Sequence, residues 1–186
     1  LPEMFFSQVK KYGDRVAQKA KREGRWIDIS WNEFGRSVKE IASGLIEIGL
    51  KKGDMVSIMS ATRLEWVWCD LGIQSAGGVT VPIYPSNTPE QAGYIINNSE
   101  SRFVIVENMM QMDKVLKLRD NLSKVEKVIV IEGFKGSRDG WAISLDELMR
   151  VGKLGLMRNE KAIEDVISTT SLDDLATIVY TSGTTG

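Results

Sequence analysis

The stretch best suited to chemistry is a short run in which every residue is glycine or carries a hydroxyl group: Thr181, Ser182, Gly183, Thr184, Thr185 and Gly186. Glycines let successive backbone N–H groups turn into one concavity that binds an anion, and Ser and Thr add hydroxyl donors. A hydrogen bond to a charged partner contributes roughly 1.5–3 kcal/mol. Several such donors converging on one ligand predict a site for a triphosphate.

Two familiar phosphate loops do not match this run. The Walker loop needs four residues between its glycines and then Gly-Lys-Ser/Thr, whereas only Thr184 and Thr185 separate Gly183 from Gly186. The dinucleotide pattern G-x-G-x-x-G occurs nowhere in the chain. A turn of Gly, Ser and Thr is also typical of a solvated loop, and on these residues alone both interpretations stay open.

Other chemistry has little support in the residue types. The chain contains no histidine, so a Ser-His-Asp, Cys-His or His-ligated zinc mechanism would need residues from elsewhere. Cys69 is the only cysteine, which excludes an internal disulfide and favours a reducing compartment, and we interpret it as a small apolar residue of a helix. Glu65 and Asp70 are single carboxylates of the kind that is usually paired or solvated. We assign no catalytic residue in this chain.

Composition places the chain among ordinary globular proteins. It has 186 residues, of which 42% are apolar and 26% charged, with a formal net charge of -1, and one domain or large subdomain is expected. Basic and acidic residues alternate rather than cluster, which argues against a nucleic-acid partner. No apolar run approaches the ~18 residues of a transmembrane helix.

The elements that must position the hydroxyl-rich run follow from regularly spaced apolar runs. Three intervals of 24, 24 and 25 residues separate the starts of the first four, which fits a strand, a crossover helix and the next parallel strand. The five predicted strands are Met55–Met59, Val79–Ile83, Phe103–Val106, Val128–Ile131 and Ala176–Tyr180. The sequence therefore predicts an α/β fold with a mostly parallel sheet and right-handed crossovers.

Helix signals lie between these strands. An apolar stripe from Phe34 to Ile48 follows a capping box that begins at Ser30, and Gly49 predicts its end. Further helices are predicted over 63–75, from the Thr88 cap to about 96, over 111–122 and from the Ser144 cap onward. Residues 151–173 are interpreted as a helix tail and a surface connection. Near the amino terminus, 16–21 and 25–30 predict a small hairpin.

The hydroxyl-rich run leaves the carboxyl end of the last predicted strand, Ala176–Tyr180, which we expect to be buried. In open parallel sheets, ligands bind outside the carboxyl ends of the strands. The predicted topology thus places Thr181 to Gly186 where a phosphate site is expected.

The string YTSGTTG, from Tyr180 to Gly186, resembles the phosphate-binding signature of the adenylate-forming superfamily, which includes acyl-CoA synthetases, peptide-synthetase adenylation domains and luciferases. In that family the signature continues to a Pro-Lys-Gly element, and the given sequence ends before it. Two upstream elements, RLEW at 63–66 and VPIYPS at 81–86, are similar to long-chain fatty acid CoA ligases. The resemblance extends over most of the chain.

This resemblance implies a reaction in two steps. A fatty carboxylate attacks the α-phosphate of ATP to give an acyl-adenylate and pyrophosphate, and the thiol of coenzyme A then displaces AMP. It also implies that Thr181 to Gly186 bind the β- and γ-phosphates, and that Thr181 joins the Mg²⁺ shell. Residues 1–186 are then the amino-terminal part of the large AMP-binding domain, ending in the phosphate-binding loop and without the carboxy-terminal domain. We expect this stretch alone to be inactive.

Three alternatives remain at this point. The parent protein is another adenylate-forming ligase acting on a medium-chain or amino acid, the chain is a stand-alone module that binds a nucleotide or anion, or it is a scaffold or dimerisation domain with an unpaired edge strand. A cytoplasmic location is expected, and the sequence leaves peripheral membrane association and a homodimer open.

Overall fold

The computed structural model describes residues 1–181, so Ser182 to Gly186 of the hydroxyl-rich run lie outside the described residues. The helices are α1 (Pro2–Tyr12), α2 (Trp31–Glu47), α3 (Leu64–Ser75), α4 (Pro89–Asn98), α5 (Met109–Lys117), α6 (Leu145–Arg158) and α7 (Ala162–Ser168), with one 3₁₀ turn at Arg119–Asn121. The strands are β1 (Val16–Arg22), β2 (Arg25–Ser30), β3 (Met55–Met59), β4 (Val79–Ile83), β5 (Phe103–Val106), β6 (Lys127–Val130) and β7 (Ala142–Ser144).

Strands β3 to β7 form one parallel sheet in the order β4-β3-β5-β6-β7, with α4 and α5 among its crossover connections. Strands β1 and β2 form a separate antiparallel hairpin. The prediction of an α/β fold with a mostly parallel sheet and a small amino-terminal hairpin is confirmed.

Helices cover both faces of this sheet, and β5 shows how the chain fills both layers. Phe103 and Ile105 join a cluster with residues of α2, α3 and α6, whereas Val104 and Val106 join a second cluster with residues of α4 and α5. Alternate side chains of a strand point to opposite faces. A continuous Phe-Val-Ile-Val run is therefore what a strand buried on both faces requires.

Helix α2 is the central helix of one layer. The Ser30 hydroxyl accepts a hydrogen bond from the Glu33 backbone N–H, and the Glu33 carboxylate accepts one from the Ser30 backbone N–H at 2.8 Å, as the capping box predicted. Helix α2 crosses α6 at two glycines, Gly44 of α2 and Gly152 of α6. Each glycine leaves room for the backbone of the facing helix. The two helices thus pack at unusually close range.

Other helix predictions hold in part. The Thr88 capping box on α4 is confirmed, and at α6 the Ser144 hydroxyl caps the helix. The segment predicted as one helix over 111–122 divides into α5 and the 3₁₀ turn, and α5 begins earlier because Asn108 caps it. Helices α1 and α7 and strand β7 were not predicted; α7 lies within the stretch interpreted as a helix tail and a surface connection.

The prediction of a buried strand over 176–180 is wrong. This segment makes a single parallel bridge, between Thr177 and Thr80, and its residues alternate between half-buried and exposed. The reason is its position beside β4, the edge strand: Ile178 and Tyr180 pack on the apolar cluster, whereas Val179, facing away, is exposed. Among residues 1–181, no strand pairs with the side of this segment that faces away from β4.

Candidate functional site

The segment that leads into the hydroxyl-rich run is fastened to β4 through one residue, Thr80. The Thr80 N–H donates to the Ala176 carbonyl and the Ile178 N–H donates to the Thr80 carbonyl, both at 3.0 Å. The Thr177 hydroxyl donates to the same Thr80 carbonyl at 2.9 Å. The segment therefore runs parallel to β4 and in register with it.

The bridge gives the direction in which the chain approaches Thr181. Because Thr177 lies opposite Thr80 in a parallel bridge, the segment runs toward the carboxyl end of β4, and Thr181 follows the bridge by four residues. Thr181 is exposed, as is Tyr84, the first residue after β4. The other five residues of the predicted phosphate loop lie outside the described residues, and the assignment of the loop to this edge stays a prediction.

Tyr180 holds the end of the segment against helix α4. Its hydroxyl donates to the Oδ1 atom of Asn98 at 2.7 Å, and its ring meets that of Tyr94 edge-on, with the centroids 6.4 Å apart. Burial, with a smaller contribution from Tyr94, raises the pKa of Tyr180, so the hydroxyl stays protonated and remains a donor at neutral pH.

The loop between β4 and α4 borders the same edge and is held by a lysine from α5. The Lys114 ammonium donates to the carbonyls of Pro85 and Asn87, at 2.7 and 2.8 Å. An ammonium group that bonds two loop carbonyls separated by one residue restricts the path of the backbone between them. The loop that follows Tyr84 is therefore tied to the layer formed by α4 and α5.

Beyond β4, the carboxyl ends of β3, β5 and β6 are joined by Arg63. Its guanidinium contacts three carboxylates: Glu65 at 2.8 Å, Glu132 at 2.8 Å and Glu107 at 3.7 Å. Glu107 also accepts a hydrogen bond from the Ala61 N–H at 2.9 Å. The charges at this part of the edge thus satisfy one another and tie three strand ends together.

The pKa shifts in this network reflect the pairing. The hydrogen bond to Glu65 raises the pKa of Arg63 above its ordinary value. Burial raises the pKa of Glu65, but the hydrogen bond from Arg63, a backbone N–H hydrogen bond and the charges of Arg63 and Arg22 together outweigh burial, and the net pKa is lowered. Glu65 is therefore ionised and paired, in agreement with the interpretation of this residue from the sequence.

Residues 1–181 contain no group of three or more His, Cys, Asp or Glu side chains placed to hold a metal ion. The hydroxyl of Thr181 is a hard oxygen ligand of the type that Mg²⁺ accepts, so its assignment to a metal shell stays a prediction. Cys69 is fully buried, and burial raises the pKa of its thiol, which keeps it protonated.

Three contributors to this region were not predicted: Asn98, Lys114 and the joint role of Arg63. The most distant partner of each lies 82, 29 and 69 residues away along the chain, respectively. The sequence carried one weak signal for them, because Arg63 opens the RLEW element and the helix predicted over 63–75.

Comparison with known proteins resolves the family. The model of the family described as AMP-binding enzyme matches residues 5–186, nearly the whole chain. The chain belongs to the AMP-binding enzyme family. The predicted resemblance to the adenylate-forming superfamily is thereby confirmed.

Curated relatives of this AMP-binding chain are long-chain-fatty-acid–CoA ligases. The ACSBG2 ligase of Xenopus laevis is 30% identical over 184 residues, which are 99% of this chain and 24% of that protein. Human ACSBG1 is 30% identical over 98% of this chain and 25% of its own length, and FadD15 of Mycobacterium bovis is 30% identical over 98% and 29%. The chain therefore spans about a quarter of the length of the curated relatives it matches.

Solved structures share the fold of this AMP-binding chain. A long-chain-fatty-acid-CoA ligase (FadD1) from Archaeoglobus fulgidus superposes with a TM-score of 0.78 at 22% identity, covering 97% of this chain and 34% of that one. The anthranilate CoA ligase AuaEII, solved with anthranoyl-AMP, gives a TM-score of 0.70 at 19% identity over 80% of this chain and 27% of that one. At these identities the likeness concerns the fold.

Proposed function

We propose that this chain is the amino-terminal part of the large AMP-binding domain of a long-chain fatty acid–CoA ligase. The parent enzyme forms an acyl-adenylate from ATP and a long-chain fatty acid, and then transfers the acyl group to coenzyme A. Family membership and relatives that are named as long-chain-fatty-acid–CoA ligases support this proposal.

The observation that carries the proposal is the position of Thr181. It opens the TSGTTG run, is exposed, and follows by four residues the bridge of Thr177 to Thr80, so the segment before it runs toward the carboxyl edge of a parallel sheet. Ligands of open parallel sheets bind at this edge, and a run of small hydroxyl-bearing residues and glycines provides the donors that phosphate oxygens accept.

The chemistry assigned to this chain is binding and positioning. Thr181, Ser182, Gly183, Thr184, Thr185 and Gly186 bind the β- and γ-phosphates of ATP, which orients the α-phosphate toward the attacking carboxylate. When bound, Mg²⁺ neutralises charge on the departing pyrophosphate, and the Thr181 hydroxyl would join its oxygen shell. No general acid or base is assigned to residues 1–186.

The decisive experiment compares this chain with the full-length protein. We expect the full-length protein to catalyse exchange of pyrophosphate into ATP that depends on a long-chain fatty acid, and to form acyl-CoA. We expect residues 1–186 alone to form none. Acyl-CoA formation by the isolated chain, at a few per cent of the full-length rate, would refute the second expectation.

A panel of acids separates this proposal from the other adenylate-forming ligases. Exchange that responds to medium-chain or amino acids, and not to long-chain fatty acids, would overturn the substrate assignment while leaving adenylate formation intact. Calorimetry of the isolated chain with Mg·ATP tests the alternative of a stand-alone nucleotide-binding module, which predicts micromolar binding.

Partners and location follow from the same proposal. Fatty acid, ATP and coenzyme A are the expected ligands, nucleic acid is not expected, and the expected location is the cytoplasm with or without peripheral membrane association. Among residues 1–181 no helix is both long enough and apolar enough to cross a membrane. Mass measurements over a range of concentrations test for the homodimer or scaffold alternative.

A further inference from the structure

The contact between Tyr180 and helix α4 is the last fastening of the chain before Thr181. The backbone and hydroxyl bonds to Thr80 all come from 176–178, so they stop three residues short of Thr181. Tyr180 then contributes the hydrogen bond to Asn98 and the edge-on contact with Tyr94. We call these two contacts of Tyr180 the tyrosine clasp.

Helix α4 is a firm support for this clasp. Its buried face packs on the sheet through Ala92, Ile95 and Ile96. The Thr88 capping box fixes its start, and the Ser99 hydroxyl donates to the Ile96 carbonyl at its end. Tyr94 and Asn98, four residues apart on this helix, are on one face, and both are exposed except where Tyr180 meets them. The helix thus presents a preformed acceptor and a ring to the incoming segment.

We propose that Asn98 and Tyr94 are positioning residues for the phosphate-binding loop, acting through Tyr180. This inference rests on the proposed function of Thr181 to Gly186. Tyr180 is adjacent to Thr181, so the contacts of its side chain restrict the backbone where the loop begins.

The physical basis is that the clasp lowers the conformational entropy of the segment before the ligand binds. A loop that starts from a fixed residue loses less conformational entropy when it closes on a triphosphate than one whose first residues are mobile. A neutral hydrogen bond such as that between Tyr180 and Asn98 is worth about 1 kcal/mol. Its loss corresponds to about fivefold weaker nucleotide binding if the whole contribution goes into ordering the loop.

The test uses the full-length protein with two readouts. The first is hydrogen exchange of the backbone amides of 176–181, and the second is the separation of KM for Mg·ATP from kcat. We expect Asn98→Ala and Tyr180→Phe each to speed exchange of 176–181 and to raise KM for Mg·ATP by about fivefold, with kcat and KM for the fatty acid unchanged. Tyr94→Ala should have a smaller effect, about twofold.

Two further variants make the result specific. Asn98→Asp keeps an oxygen acceptor at the same position, so it should restore both the exchange rate and KM toward the original values. Asn97→Ala, at the neighbouring exposed position of α4, removes an amide of the same kind that does not face Tyr180 and should change neither quantity. The double variant Asn98→Ala with Tyr180→Phe should be no worse than either single one, because both remove one bond.

Each other outcome is decisive. Unchanged hydrogen exchange of 176–181 in Asn98→Ala would show that the clasp does not hold the segment. Faster exchange with an unchanged KM for Mg·ATP would show that the clasp is a structural contact without a role in nucleotide binding. Either result overturns the proposal. Absence of ATP-dependent ligase activity in the wild-type protein would overturn the proposed function and, with it, the loop-positioning role. The hydrogen-exchange rates of 176–181 would still show whether the clasp exists.

Discussion

Gly152 on α6 lies against the backbone of Glu40 on α2, so closely that a Cβ atom at position 152 would overlap the Glu40 carbonyl oxygen. At the same crossing, a Cβ atom at Gly44 of α2 would overlap the carbonyl of Leu148. The two helices therefore meet backbone to backbone. A helical backbone by itself favours alanine over glycine. Glycine is therefore required at 152 because it has no Cβ atom.

We expect Gly152→Ala to lower the free energy of unfolding by about 2–3 kcal/mol, since the helices must separate to admit the methyl group. Helix propensity alone would favour alanine by about 1 kcal/mol, so the sign of the change identifies the cause. Urea unfolding followed by circular dichroism measures it. Lys153→Ala, at the exposed neighbouring position, is the control and should change stability by less than about 0.5 kcal/mol.

Arg63 is expected to stabilise the fold through its three carboxylates. The Arg63→Met variant removes one of the two arginines that contact Glu65, whose side chain is only 11% exposed, and leaves Arg22 as the other. We expect a loss of about 2 kcal/mol in the free energy of unfolding at neutral pH. Arg150→Met removes an exposed pair with Glu147 and should cost less than about 0.5 kcal/mol. Equal losses in the two variants would contradict the network.

The stability of the protein is expected to depend on pH through Glu65. Its pKa in the folded protein is below the ordinary value of 4.5, because burial is outweighed by the hydrogen bond from Arg63, a backbone N–H hydrogen bond and the charges of Arg63 and Arg22. The ionised group therefore stabilises the fold above pH 4.5, and this contribution is lost as pH falls through the folded pKa. Glu65→Gln should reduce the fall in stability between about pH 6 and about pH 3. The exposed Glu160→Gln is the control, and an identical acid response in the two variants would exclude Glu65 as a source.

Lys114 should control the loop between β4 and α4. In Lys114→Met the carbonyls of Pro85 and Asn87 lose their shared donor, so we expect faster hydrogen exchange in residues 84–88 and a loss of about 1–2 kcal/mol in stability. Lys117→Met, on the exposed face of the same helix, should leave the loop unchanged. If both variants exchange alike, the two hydrogen bonds do not fix this loop.

The parts of the fold that the sequence predicted are those with local signals. Runs such as Phe-Val-Ile-Val at β5 and the capping boxes at Ser30 and Thr88 depend on residues within a few positions of one another, and these elements appear as expected. Strand β7 has only three residues. A run this short has no periodicity to measure, so its place in the sheet could not be predicted.

Burial of the segment over 176–180 depends on the elements that lie beside it in the fold. The local sequence pattern carries no information about those neighbours. Its apolar residues are typical of a strand covered on both sides, yet it borders the edge strand β4 and Val179 is exposed. The candidate site divides in the same way. The TSGTTG run identified the family, whereas the clasp joins Tyr180 to a residue 82 positions earlier and is created by folding.

The bridge between Thr80 and Thr177 has a consequence for the order of folding. It joins residues 97 apart, whereas all five strands of the sheet come from residues 55–144. During synthesis these five strands leave the ribosome before this segment does, and chains fold from the amino terminus as they emerge. The segment that leads to the proposed phosphate loop therefore docks on a surface that is already built. A nascent chain can acquire this core well before it acquires the segment that would bind a nucleotide.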